Sequence, residues 1–129
     1  MTIRYLLDTN IAIALLNGDE AIAQRVTALQ TVHLSVTIVG ELLYGAEKSN
    51  RTQENRQRIQ PLIDRLVTLI PDLETASHYA IIKNQLRQRG RPIPENDIWI
   101  AAIAKQHNLI VITRDSDFDA VEDIAIERW

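Results

Sequence analysis

The chain has 129 residues, about the length of one domain, and 46% of them are hydrophobic, which is typical of a globular protein and argues against intrinsic disorder. It contains no cysteine, which excludes thiol catalysis, zinc ribbons and disulfide scaffolds and fits a cytoplasmic protein. Fourteen Lys and Arg against 17 Asp and Glu give a net charge of −3, which argues against broad, nonspecific coating of nucleic acid.

No stretch of the sequence has the composition of a linker between domains. There is no segment rich in Pro, Gly or Ser and no internal repeat, so we expect a single domain over residues 1–129. No apolar run approaches the roughly 20 residues that a membrane-spanning helix needs, so we expect no membrane association.

The first half of the chain alternates predicted strands and helices. Residues 3–7 form a nearly continuous apolar run, which is typical of a strand buried on both faces of a parallel sheet. Thr37 is predicted to cap a helix that runs to about Lys48. Pro61 lies inside the next predicted helix and is predicted to kink or divide it. The remaining predicted elements here are helices over residues 9–16 and 19–30 and a strand over residues 32–36.

The second half continues the same alternation. Two prolines predict an extended loop over residues 91–94, and a helix follows over residues 95–107. The other predicted elements are strands over residues 67–70, 109–112 and 124–127 and a helix over residues 72–89. Such alternation predicts an α/β fold of three layers, α/β/α, with a central, mostly parallel sheet.

Carboxylates lie near the expected ligand-binding edge of this sheet. Asp8 follows the first predicted strand, Asp115 and Asp117 follow the fourth, Glu41 lies early in the helix after the second, and Asp97 lies in the first turn after the proline loop. Ligands in open α/β sheets bind at the carboxyl ends of the strands. We therefore expect acids from four separate segments to converge on one pocket.

Crowded carboxylates repel one another and need a compensating cation. Magnesium and manganese prefer oxygen ligands, and a bound divalent ion can activate water for hydrolysis of a phosphodiester bond. The spacing alone also allows ordinary roles, because Asp8 can cap a helix and the other acids can favour helix N-termini or turns.

Four segments in this order resemble the PIN-domain ribonucleases and, within them, the VapC toxins of toxin and antitoxin pairs. The resemblance covers residues 7–118 and rests on the segments Leu-Asp-Thr-Asn at 7–10, Val-Gly-Glu-Leu at 39–42 with a glycine at 45, Asn-Asp-Ile-Trp-Ile-Ala-Ala at 96–102, and Ile-Thr-Arg-Asp-Ser-Asp-Phe at 112–118. Each segment is a weak signal by itself, whereas the order and spacing of all four are specific.

The resemblance implies a role for each polar residue of these segments. The catalytic acids would be Asp8, Glu41, Asp97 and Asp115, of which all but Glu41 would hold Mg²⁺ or Mn²⁺ directly or through water. The supporting residues would be Thr9, Asn10, Thr113 and Asp117.

The function that follows is an endoribonuclease that hydrolyses RNA with a metal-activated water. The resemblance also implies a homodimer and a cognate antitoxin of the VapB kind, whose arginine would enter the acidic pocket.

Other classes of protein account for this pattern less well. A noncatalytic domain that uses the same pocket to bind a metal or a basic peptide is the alternative left open. A receiver domain would need paired acids after the first strand, and a haloacid-dehalogenase-like phosphatase would need a second Asp where Asn10 stands. Cleavage of RNA that depends on a divalent metal would separate the nuclease from the noncatalytic domain.

Overall fold

Five strands and six α-helices make up the computed structural model, which describes residues 2–129. In chain order the elements are β1 Arg4–Leu7, α1 Thr9–Leu16, α2 Glu20–Thr27, β2 Thr31–Ser35, α3 Val36–Glu47, α4 Thr52–Arg65, β3 Val67–Leu69, α5 Leu73–Gln88, α6 Glu95–His107, β4 Ile110–Thr113 and β5 Ala125–Arg128, with a 3₁₀ turn at Ser116–Ala120 between the last two strands.

The strands form one parallel sheet in the order β3-β2-β1-β4-β5. The central strand β1 pairs with β2 on one side, where Leu6 lies opposite His33, and with β4 on the other, where Leu6 lies opposite Val111. Leu6 and Leu7 are completely buried, as expected for a strand covered on both faces. The predicted α/β fold with a parallel sheet is therefore confirmed.

The sheet order places a topological switch point at the carboxyl ends of β1 and β4. The chain leaves β1 toward β2 on one side, whereas β4 pairs with β1 from the other side. A crevice at such a point is the usual ligand site of an open parallel sheet. Residues that directly follow these two strands are therefore brought together.

One local prediction was wrong, and another was wrong in part. Ser35, not Thr37, caps α3, because the buried Ser35 Oγ accepts a hydrogen bond from the backbone N–H of Ile38 at 3.3 Å. Pro61 does not divide its helix, since α4 is continuous through it. Pro61 removes the donor that would serve the carbonyl of Gln57, and both residues are exposed, so water can replace the missing bond.

Helix α6 is buried along most of its length and carries Asp97 in its first turn. Ile100, Ala101, Ala102 and Ile103 are completely buried. Small and branched apolar side chains on adjacent faces let neighbouring elements pack closely all around this helix, which fixes its position relative to the sheet. Among residues 2–129, no helix combines the length and apolar character needed to cross a membrane.

Candidate metal centre

Asp8 lies where β1 ends and α1 begins, and it is 4% exposed. Its backbone N–H donates to the carbonyl of Ile112 at 2.9 Å, which extends the pairing of β1 with β4 to this residue. Its Oδ1 accepts from the backbone N–H of Thr9 at 2.8 Å, so Asp8 also caps α1. Burial raises the pKa of Asp8, and the hydrogen bonds from Thr113 and Thr9 oppose that rise.

Thr113 connects the ends of β1 and β4 through its completely buried hydroxyl group. Thr113 Oγ1 donates to Asp8 Oδ2 at 2.7 Å and accepts from the backbone N–H of Asp115 at 2.8 Å. Since the hydroxyl accepts from Asp115, its single proton is directed at the Asp8 carboxylate. One side chain therefore orients the Asp8 carboxylate and fixes the backbone at Asp115.

Replacement of Thr113 by Val is expected to destabilise the protein by about 2–3 kcal/mol, because it leaves a buried carboxylate oxygen and a backbone N–H without partners. The same change should lower cleavage activity by freeing Asp8 and Asp115 to turn. Denaturant titration measures the stability, and Thr113→Ser is the matched control that keeps the hydroxyl. Equal stability of the Val and Ser variants would contradict this role.

The 3₁₀ turn after β4 brings Asp115 and Asp117 to one side of the loop. Asp115 Oδ1 accepts from the backbone N–H of Asp117 at 2.9 Å, and the next residue, Phe118, is completely buried and anchors the turn. Asp97 approaches the turn from α6. One oxygen from each of Asp97, Asp115 and Asp117 lies within 4.8 Å of the others.

The surroundings of Asp97 strongly disfavour its negative charge. Burial raises the pKa of Asp97 to about 7, and the negative charges of four other acids contribute, in decreasing order Asp8, Asp115, Asp117 and Glu41. Carboxylates that raise one another's pKa in this way lie within electrostatic range. The five acids from four segments therefore form one cluster.

Glu41 reaches the cluster from α3. Burial raises the pKa of Glu41, the nearby Thr9 hydroxyl opposes the rise, and the charge of Asp8 adds to it. Glu41 Oε1 and Thr9 Oγ1 are both buried and lie near each other, but neither makes a hydrogen bond of normal geometry with any of the described residues. Buried polar atoms of this kind usually bind water or an ion. A water molecule or ion beside them would therefore be stabilised.

The residues of the cluster fit a hard divalent cation. Every candidate donor is a carboxylate or hydroxyl oxygen, the donor type that Mg²⁺ and Mn²⁺ prefer. Within residues 2–129, none of the five acids forms a salt bridge with Lys, Arg or His. Arg114, which lies between Thr113 and Asp115, is instead directed toward Asp19 and the Trp129 carbonyl. The negative charge therefore lacks a compensating side chain.

The structure gives the remaining candidates distinct positions. The Asp8 carboxylate accepts a hydrogen bond from Thr113, and Asp8 is not one of the three acids whose oxygens lie closest together. Asp117, expected only as a supporting acid, is one of those three. Asn10 Oδ1 accepts from the backbone N–H of Arg114 at 3.2 Å and so braces the loop after β4. The spacing of two residues between Asp115 and Asp117 is the sequence signal for Asp117, because a tight turn places both on one side.

Comparisons with known proteins give the same picture over nearly the whole chain. A model of the PIN domain family matches residues 5–124. Ribonuclease VapC1 of Haemophilus influenzae (strain R2866) is 35% identical over 130 aligned positions, with 97% of each chain covered. The tRNA(fMet)-specific endonuclease VapC of Shigella flexneri is 32% identical, with 98% of each covered.

The fold also matches one chain of a solved VapBC structure. In the crystal structure of VapBC2 from Rickettsia felis bound to a DNA fragment from their promoter, one chain superimposes with a TM-score of 0.94 at 25% identity. The match covers 98% of the present chain and 99% of that chain. Both sequence and fold therefore relate the chain to the same group of proteins.

Proposed function

The chain belongs to the PIN domain family, and from this membership and the acidic cluster we propose that it is an endoribonuclease, the toxin of a VapBC-type pair. Its relatives are named ribonucleases and endonucleases, so the reaction class is hydrolysis of RNA. We further propose that the activity depends on Mg²⁺ or Mn²⁺ and that residues 1–129 act as a single PIN domain.

The observation that carries this proposal is the set of five acids without a cationic partner at the switch point of the sheet. Asp97, Asp115 and Asp117 offer the closest oxygens and would hold the metal, with Asp8 as a further ligand, directly or through water. A bound divalent ion supplies charge stabilisation at the phosphoryl oxygens and lowers the pKa of the attacking water.

The chain's own residues orient the reactants around that centre. Thr113 holds Asp8 in one orientation through its hydroxyl, and the backbone N–H of Asp117 does the same for Asp115. Glu41 presents a buried oxygen with no hydrogen-bond partner among the described residues, which suits a group that positions water and accepts its proton. The RNA strand is thus cut without a covalent enzyme intermediate.

Purified protein is expected to cleave total bacterial RNA with added Mg²⁺ or Mn²⁺ and to stop when a chelator is added. Gel electrophoresis of the RNA measures the products, and re-addition of metal should restore them. Calcium, which accepts more irregular coordination than Mg²⁺, is the matched control ion. Metal binding without any cleavage would instead favour a noncatalytic role for the same pocket.

Its regulatory partner is a VapB-like antitoxin, as the VapBC complex among its structural neighbours indicates. We place both proteins in the cytoplasm, where an RNA-cutting enzyme meets its substrate and needs continuous inhibition. We also propose a homodimer, since closed twofold pairing is the commonest oligomeric state of soluble proteins.

A further inference from the structure

A shallow pocket lies beside the metal centre, between α3 and the start of α6. Its volume is about 320 Å³, and its lining residues are Thr37, Gly40, Glu41, Tyr44 and Asn96. Two of these connect it to the catalytic cluster, because Glu41 belongs to both and Asn96 directly precedes Asp97. A polymer bound at the metal centre would therefore pass this pocket with its next unit.

Tyr44 forms an exposed aromatic wall of the pocket. It is 65% exposed, and of the aromatic side chains among residues 2–129 it alone is exposed to this degree. The other rings are buried or half-buried, as in the stack of Tyr79 on Trp99, whose centroids are 4.1 Å apart. Lys48 directly follows the last residue of α3, and its Nζ lies over the Tyr44 ring, 5.2 Å from the ring centroid.

Gly40 lines the pocket and leaves one side of it open because it has no side chain. It lies inside α3, where a glycine costs about 0.5–1 kcal/mol relative to alanine. A Cβ atom added to Gly40 would meet no atom of the same chain within 4 Å, and its φ is not positive, so neither packing within the chain nor backbone geometry requires glycine. The missing side chain does keep space free beside Tyr44.

The chemistry of the pocket fits one unit of a nucleic-acid strand. An exposed aromatic ring provides a stacking surface for a base of any sequence. The hydroxyl of Thr37 and the amide of Asn96 offer donors and acceptors to a base edge, and Lys48 offers a positive charge to a phosphate. Three of the lining residues, Thr37, Glu41 and Asn96, carry polar groups, which suits contact with the hydrogen-bonding edge of a base.

We propose that this pocket binds a nucleobase of single-stranded RNA next to the scissile phosphate, with the base stacked on Tyr44. The inference rests on the proposed ribonuclease function and adds the subsite that holds the neighbouring nucleotide. Asn96 and Thr37 contact the edge of the base, and Lys48 contacts the adjoining phosphate. Recognition requires an unstacked base, so the strand must be single-stranded at this position.

The test is binding of a fluorescein-labelled, random-sequence RNA 12-mer, measured by fluorescence anisotropy in EDTA so that no cleavage occurs. Tyr44→Ala and Tyr44→Leu are expected to weaken binding about 5- to 150-fold, the range for loss of one aromatic stack, whereas Tyr44→Trp should retain it. Lys48→Met should reduce the slope of log affinity against log salt by about 0.7, the value for one phosphate contact on a single strand.

Two further variants separate the pocket from general effects on the fold. Gly40→Leu should fill the pocket and weaken RNA binding while the melting temperature stays equal or rises, because Leu favours helix and its Cβ meets no atom of the chain within 4 Å. Leu73→Ala removes an apolar side chain that is 90% exposed at the start of α5 and should leave RNA binding unchanged. The 12-mer annealed to its complement should compete poorly.

Wild-type affinity in both Tyr44→Ala and Gly40→Leu would overturn the proposal. It would also be overturned if Tyr44→Leu bound RNA normally while Tyr44→Ala changed the molar mass by light scattering, since that result assigns Tyr44 to an apolar contact between copies. Cleavage by the wild type with Mn²⁺ is scored separately. RNA binding that depends on Tyr44 without cleavage would reject the nuclease and keep the subsite, and cleavage with Tyr44-independent binding would do the reverse.

Discussion

Replacement of Asp97 by Asn is expected to lower RNA cleavage by at least about 100-fold, the usual scale for removal of one group that stabilises transition-state charge. Asp97 contributes one of the three closest carboxylate oxygens, and its charge is opposed by four neighbouring acids. The uncharged amide weakens metal binding and relieves the repulsion. The metal-free variant should therefore melt at the same temperature as the wild type or higher, which calorimetry in EDTA measures.

Asp64→Asn is the matched control for this experiment. Asp64 is an exposed acid on α4 whose Oδ1 accepts from Gln60 Nε2 at 2.8 Å, a bond that an Asn side chain can still accept. The control removes the same charge away from the cluster and should keep wild-type cleavage. Wild-type activity in the Asp97 variant would reject the assigned metal centre, and loss of folding in that variant would reject the claim that repulsion is relieved.

The stability of the metal-free protein is expected to fall as the pH rises from about 4 to about 7 when compared with Asp97→Asn. Asp97 has a pKa of about 7 in the folded chain and 3.8 as its ordinary value, so the folded state binds more protons between these pH values. Stability falls with pH wherever the folded state holds the extra proton. The two melting temperatures should coincide below pH 4 and diverge until about pH 7.

Added divalent metal should remove this difference in melting temperature between the wild type and Asp97→Asn. Added Mg²⁺ or Mn²⁺ stabilises a protein that binds it only when folded, by about 2.7 kcal/mol at 100 times the dissociation constant. The gain should be largest above pH 7, where all five acids are ionised, and smaller in Asp97→Asn. Melting curves that stay parallel across the pH range, with and without metal, would show that Asp97 does not carry the buried charge.

Hydrophobic patterning predicted the architecture because the main elements are long or strongly apolar. The helix over residues 95–107 was predicted with its observed bounds, since the proline loop fixes its start and its apolar residues continue to the last turn. The errors lie at junctions, where a single hydrogen bond decides. Val36 resembles a strand residue by its branching, but Ser35 caps the helix and so draws Val36 into it.

Sequence spacing predicted that the proposed catalytic acids share a site, but it did not predict which of their oxygens lie closest together. That Asp8, Glu41, Asp97 and Asp115 share a metal site is a prediction from the order of the motifs. Asp117 joins Asp97 and Asp115 in the group of closest oxygens, whereas Asp8 does not. The carboxylate of Asp8 is instead bound by the Thr113 hydroxyl, and the tight turn that brings Asp117 beside Asp115 is closed by the bond from the Asp117 backbone N–H to the Asp115 carboxylate. Tyr44 carries no motif, and its exposure becomes visible only when α3 is packed.

The hydrogen bond from Thr113 to Asp8 joins residues 105 positions apart, so the site can form only late in synthesis of the chain. A nascent chain that has emerged from the ribosome only as far as α5 contains Asp8 and Glu41 alone. Asp97, Asp115 and Asp117 follow in the last third of the chain, and β4 must pair with β1 before they meet the first acid. Synthesis therefore delays nuclease activity until the polypeptide is nearly finished, so a ribosome that stalls partway releases a fragment unable to cut RNA.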